Sequence, residues 1–165
     1  MKTLPNQNTQ NIKITQFEDK YTDDIIKLVL HFQNDGSRPF STIDDQPDLL
    51  DIAKGGDFWI ALDNGQLAGT IGIVPYTEDI AVMKKFFVYE KYQGEPTHLG
   101  RQLFDKLITF AKEHSIKSII LDTPTNTTRA HKFYEKAGFK LIAEDELPFK
   151  YHHPCPECHY FRLDL

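Results

Sequence analysis

Cross-linking residues and long apolar runs are both scarce in this chain. Its 165 residues include two cysteines, Cys155 and Cys158. Two are too few for a disulfide framework, and a chain of this length buries enough surface to fold without one. No apolar stretch approaches the ~20 residues of a membrane-spanning helix. The polar start, MKTLPNQNTQNIKI, lacks the hydrophobic segment of a secretory signal. A cytoplasmic location without a membrane partner is the expectation. A basic excess is missing too: 24 acidic against 19 basic side chains give a formal net charge of −5. Nucleic-acid affinity rests largely on neutralising phosphates, so no nucleic-acid partner is expected. Repeats, low-complexity tracts and linkers are absent from the sequence. What is present, 40% hydrophobic and 26% charged residues, is the balance of one globular domain. Residues 1–11, rich in Asn, Gln and Thr, read as a loose arm before a single domain over 12–165.

Hydrophobic periodicity predicts the elements. A strand is expected over 12–17 and a helix over 21–32. Thr22 suits the helix N-cap, Asp23 and Asp24 its positive end, and Ile25, Leu28, Val29 and Phe32 share one face. A short second helix is expected over 47–54, with Gly55 and Gly56 closing it. A β-meander over 57–62, 67–74 and 80–89 follows, its first hairpin turned by Asn64-Gly65. In the third strand the alternation slips. Ile80 and Val82 share parity, yet Lys84-Lys85 and Phe86-Phe87 are doubled, as a β-bulge would produce. An amphipathic helix over 99–114 places Leu99, Leu103, Leu107, Phe110 and Ala111 on one face. A buried strand is expected over 116–122, a helix over 127–137 stopped by Gly138, and strands over 139–144 and 158–163. Strand–helix–strand passages around a meander predict an α/β layered fold. Its sheet is mixed and mostly antiparallel, with about six to seven strands flanked by about four helices.

Chemistry concentrates between Met83 and Phe139. A strand ends near Val88, and the loop Tyr92-Gln93-Gly94-Glu95-Pro96-Thr97-His98-Leu99-Gly100-Arg101 opens directly into a helix. Backbone N–H groups and roughly half a positive charge at such a helix start suit a phosphate. No Gly-Lys-Ser/Thr follows, so this is not a Walker loop, and the Gly-x-Gly-x-x-Gly of a dinucleotide fold is absent. After Ile119-Ile120-Leu121-Asp122-Thr123 comes Ala130-His131-Lys132-Phe133-Tyr134-Glu135-Lys136-Ala137-Gly138-Phe139. Together these segments resemble the GNAT superfamily of acyl-CoA-dependent N-acyltransferases. The shared features are the strand–Arg/Gln-Gly-x-Gly-x-Gly–helix unit and the Ala-x-x-Phe-Tyr-Glu-Lys-x-Gly-Phe signature. The chain departs from the pattern in two places. Its loop is about two residues longer than the common form, and His98 stands where a glycine is usual.

The resemblance implies a GNAT-like fold and transfer of an acetyl group from acetyl-CoA to an amine in a ternary complex. A non-catalytic acyl-CoA-binding protein of the same fold is the alternative. Gln93, Gly94, Leu99, Gly100 and Arg101, with His98 among them, are the implied cradle for the coenzyme A pyrophosphate. Backbone groups at Phe87 and Val88 are implied to hold the pantetheine arm and acyl carbonyl. Asn126 and Thr127 would meet the pantetheine or adenosine end. Tyr134 matches the tyrosine that often protonates the leaving thiolate. The strand over 80–89 carries no carboxylate for a general base; Asp122 is the first candidate, with Glu78 and a water chain behind it. The acceptor is expected over the first helices, past Phe32, Arg38, Phe40 and Asp45, and Arg38 would pair with an acidic group on it. Many relatives dimerise, so a homodimer is open.

One further cluster, His152-His153-Pro154-Cys155-Pro156-Glu157-Cys158-His159, has zinc-ligand residue types. It lacks a second ligand pair at ordinary spacing and the helix that lowers thiol pKa in redox Cys-x-x-Cys sites. The resemblance implies a variable loop there, leading into the last strand, and no metal is expected.

Overall fold

The computed structural model describes residues 11–33, 57–125, 128–148 and 158–165. Seven strands form one sheet in the order β1-β2-β3-β4-β5-β7-β6. They are β1 (Ile12–Gln16), β2 (Asp57–Asp63), β3 (Gln66–Pro75), β4 (Ile80–Val88), β5 (Ser118–Pro124), β6 (Lys140–Ile142) and β7 (Cys158–Asp164). Three α-helices lie among the described residues: α1 (Thr22–Gln33), α2 (Leu99–Glu113) and α3 (Thr128–Ala137). The helix expected over 47–54 lies outside the described residues. All strand pairs are antiparallel except β4 and β5.

The local signals account for most boundaries. Asn64 and Gly65 take φ of +50° and +85° in the tight turn between β2 and β3, the left-handed pair that an Asn-Gly hairpin supplies. Gly138 takes φ +104° just past α3, and Phe139 N–H donates back to Tyr134 O at 2.9 Å. Thr22 departs from expectation. A 3₁₀ turn, Asp19–Tyr21, runs into α1, so Thr22 is already helical and its hydroxyl donates to Asp19 O at 2.7 Å instead of capping the helix.

Each face of the sheet has its own core. Leu99, Leu103, Leu107 and Ala111 of α2 are wholly buried against Trp59, Ile71, Ile73, Met83, Ile119 and Leu121. Each such leucine contributes roughly 1.5–3 kcal/mol of transfer free energy. On the other face Ile25 and Val29 of α1 meet Phe58, Ile60 and Leu62.

The parity slip in the sequence is a real bulge. Thr70 pairs with Phe87 and Gly72 with Lys84, so Ile71 alone opposes both Lys85 and Phe86. Lys85 takes φ +52° there. Before the bulge Ala81 and Met83 face α2; after it Phe86 and Val88 do, and Phe87 turns to the α1 side.

Candidate active site

β4 and β5 are paired only through Ile80–Ser118, Ala81–Ile119 and Val82–Ile120. Beyond that point the parallel strands part, and residues 83–88 and 121–124 border a gap. The bulge lies on this stretch. Tyr89 N–H donates to Ala68 O at 3.0 Å. By antiparallel alternation its neighbour Val88 turns its N–H and C=O toward the gap, where the carbonyl accepts Gln93 Nε2 at 2.7 Å.

The loop from β4 to α2 is tied down at several points. Tyr92 is buried, and its hydroxyl donates to Asp63 Oδ2 at 2.6 Å. Burial and that carboxylate push the phenol up to about 12, and the phenol in turn holds Asp63 below the usual carboxylate range. Gly94 takes φ +67°, and its carbonyl accepts His98 N–H at 2.7 Å. His98 itself takes φ +47° as the N-cap of α2. The histidine thus adopts the left-handed backbone that explains why a glycine is usual at this place. Gln102 N–H to His98 O, 3.2 Å, is the first bond of the helix, so the amides of Leu99, Gly100 and Arg101 point out of its end. No acidic residue stands in the first turn to compete with an anion.

Two of the implied cradle residues have side chains engaged elsewhere. The Gln93 amide donates to Glu90 O at 3.1 Å and its side chain holds Val88, so Gln93 fixes the strand end and does not offer an amide. The Arg101 guanidinium pairs with Asp105 at 3.0 Å, one turn along the helix, leaving its backbone amide at the helix end.

α3 closes the other side. A β-carbon on Gly100 would lie 3.5 Å from Phe86 and 3.8 Å from Phe133, so the helix start, the bulge and α3 converge there. A β-carbon on Gly94 would lie 3.6 Å from Arg129 Nη2. Arg129 directly precedes Ala130 of the signature, but the pattern itself gives no sign that it reaches the loop. Tyr134 is buried, with Phe139 and Phe161 each 5.7 Å away between ring centres. Burial first, and then the charge of Asp122, push its phenol well above the usual tyrosine range. Asp122 is half-buried on β5, past the last pair with β4. Glu78 is displaced from the candidates. It precedes β4 at the end where the strands are still paired, and the length of β4 separates it from Val88 by roughly 25–30 Å.

On the α1 face Phe32 stacks on Phe87, 5.6 Å between centres at 16°. His31 adjoins Phe32 and Tyr89 at 4.9 and 5.5 Å and bonds Glu90 through Nε2 at 2.8 Å. Sequence patterns gave no sign of this cluster, because His31 and Glu90 lie far apart in the chain. Arg38, Phe40, Asp45, Asn126, Thr127 and residues 152–157 of the Cys/His cluster lie outside the described residues. Among the described residues no helix is long and apolar enough to cross a membrane.

The model of the acetyltransferase (GNAT) family matches residues 23–139, more than half the chain. The chain belongs to the GNAT family. An acetyltransferase structure from Streptococcus agalactiae is similar over 93% of this chain and 98% of its own, with 34% identity and a TM-score of 0.88. A GNAT-family acetyltransferase from Staphylococcus aureus shares 28% identity over 93% of this chain and 99% of its own, with a TM-score of 0.86. Among curated relatives, the probable N-acetyltransferase camello of Xenopus tropicalis is 29% identical over 64% of this chain and 51% of its own length. Human N-acetylaspartate synthetase is 29% identical over 60% and 34%. The chain thus spans about half and about a third of these curated relatives' lengths.

Proposed function

We propose that the chain is an N-acetyltransferase that moves the acetyl group of acetyl-CoA to a primary amine by direct attack in a ternary complex. The observation that carries this reading is a coincidence at one end of the sheet. A bulged strand parts from its parallel neighbour beside an open helix N-terminus. A long donor with a diphosphate near one end and a thioester at the other fits such a place. The amides of Gly94, Leu99, Gly100 and Arg101, with the Arg129 guanidinium, suit the diphosphate. Of the two implied β4 residues, Phe87 pairs with Thr70 and turns its backbone to β3, so in this reading the backbone of Val88 holds the pantetheine arm and acyl carbonyl, and Asn126 and Thr127 meet the pantetheine or adenosine end.

In this reading the amine enters past Phe32 and Arg38 and attacks the acyl carbon. As the C–N bond forms, a β4 N–H donates to the carbonyl oxygen on which negative charge develops. As the C–S bond breaks, Tyr134 supplies a proton to the departing sulfur. Asp122, or a water beside it, takes the proton from the amine.

The absence of a carboxylate from β4 favours one second reading, a GNAT protein that binds acyl-CoA without turnover. Calorimetric titration with acetyl-CoA, with desulfo-coenzyme A and ADP as controls, tests the cradle. Micromolar binding is expected, sharply weakened in Gly100→Glu, which adds a bulky negative side chain at the start of α2 where Phe86 and Phe133 already lie within 4 Å of a β-carbon. No binding at millimolar ligand overturns the proposal. Binding without thiol release across a panel of amines selects the second reading.

A further inference from the structure

Thr70, in the middle of β3, is fully buried. Its cross-strand neighbours are apolar, Ile60 on β2 and Phe87 on β4. Valine fits a β-branched slot of this kind as well as threonine does, and it carries no hydroxyl to desolvate. The hydroxyl has one specific task in the structure: it donates to the carbonyl of Lys85 at 2.7 Å. Lys85 is the bulge residue, held at φ +52°, a backbone region unfavourable for any residue with a side chain. Two residues there oppose one, so the regular ladder is interrupted. The side chain of Thr70 ties β3 to β4 at that interruption.

We propose that Thr70 is a positioning residue for acetyl transfer: its hydroxyl pins the Lys85–Phe86 bulge and so fixes how Val88 is presented to the thioester. The link to the thioester rests on the function proposed above; the pin itself does not. With the pin removed, β4 can shift toward continuous pairing. A one-residue slip exchanges the faces of every residue beyond it, so Phe86, Phe87 and Val88 would lose their places together. Thr70 touches no reacting atom and acts only through the strand beside it.

The test compares Thr70→Val, which keeps the shape and removes the donor, with Thr70→Ser, which keeps the donor. Acetyl-CoA affinity is expected to fall about tenfold in T70V, the scale of one lost hydrogen bond. Affinity for ADP, whose diphosphate reaches only the helix end, should stay within about twofold. Amide exchange at Phe86, Phe87 and Val88 should quicken about tenfold in T70V and remain near the parent rate in T70S. If T70V fails to fold, Thr70→Ala against Thr70→Ser makes the same comparison. Unchanged exchange and affinity in T70V would overturn the proposal. So would equal weakening of both ligands with uniformly faster exchange, the mark of general destabilisation. If the parent protein does not bind acetyl-CoA, the functional reading fails, and the exchange comparison still decides the pin.

Discussion

Tyr134 is a phenol that its surroundings keep protonated. Burial and the nearby Asp122 charge both oppose ionisation, so the group rests as a neutral hydrogen-bond donor and not as a base; a proton leaves it only as charge builds on the departing sulfur. Tyr134→Phe is therefore expected to fold, to bind acetyl-CoA as the parent does, and to lose about a hundredfold in kcat. Steady-state kinetics with any accepted amine decides it, and an unchanged kcat would reduce Tyr134 to packing. Tyr92 has a different role, seen in stability. Its folded-state pKa lies above the unfolded value, so its contribution is complete below about pH 10 and is lost as pH rises through about 12. Asp63 is shifted the other way. Its contribution is present above the ordinary carboxylate range and is lost as pH falls through its lowered folded value. Tyr92→Phe should cost about 1–2 kcal/mol near neutrality in urea unfolding and flatten both flanks of the stability–pH curve. Unaltered flanks would mean that the Tyr92–Asp63 bond contributes nothing. The two tyrosines also differ in how readable they were. Tyr134 stood inside a specific signature, whereas nothing in the sequence tells which of 24 carboxylates Tyr92 finds.

Elements were legible wherever a local rule forced them. The doubled lysines and phenylalanines of β4 had to break alternation, and the structure breaks it at Lys85–Phe86. His98, in a glycine's usual place, takes a glycine's backbone. The parting of β4 from β5 was not legible, because which strands pair, and for how far, is set by the whole sheet and not by either strand's own pattern. Arg129 over Gly94 and Thr70 under Lys85 were hidden for the same reason: each joins residues that are distant in sequence. Gly69 shows how tightly the elements meet at the site. A β-carbon there would come 2.9 Å from Phe87 O, 3.1 Å from Leu103 Cδ1 and 3.2 Å from Val88 Cγ2. Backbone oxygen cannot move aside without shifting β4, and Leu103 is fixed in the α2 core. Gly69→Ala should cost about 1–3 kcal/mol in denaturant unfolding and weaken acetyl-CoA binding together with it. Unchanged stability would mean that the strands separate there at little cost.

At the scale of the whole molecule, the sheet has two wings. One is β1 to β4 and the other β5, β7 and β6, and they are joined by short parallel pairing and by α2 aromatic contacts such as Phe104 with Phe133 and Phe139. The proposed donor lies across that join. It would touch β4 in one wing, α3 in the other and the end of α2 between them, so its binding energy resists their separation. A ligand at 100 times its dissociation constant stabilises the folded state by about 2.7 kcal/mol. For a chain of this size that raises Tm by roughly 5–11 °C. Mass action alone gives the same shift for any ligand of equal occupancy, so the shift does not locate the site. The pattern of amide exchange does. Acetyl-CoA should slow exchange on both sides of the gap, in β4 beyond the bulge and in β5 with α3, while ADP should protect only the loop and first turn of α2. If acetyl-CoA protects the α2 end alone, the donor does not bridge the wings, and a ternary complex assembled in the gap is ruled out.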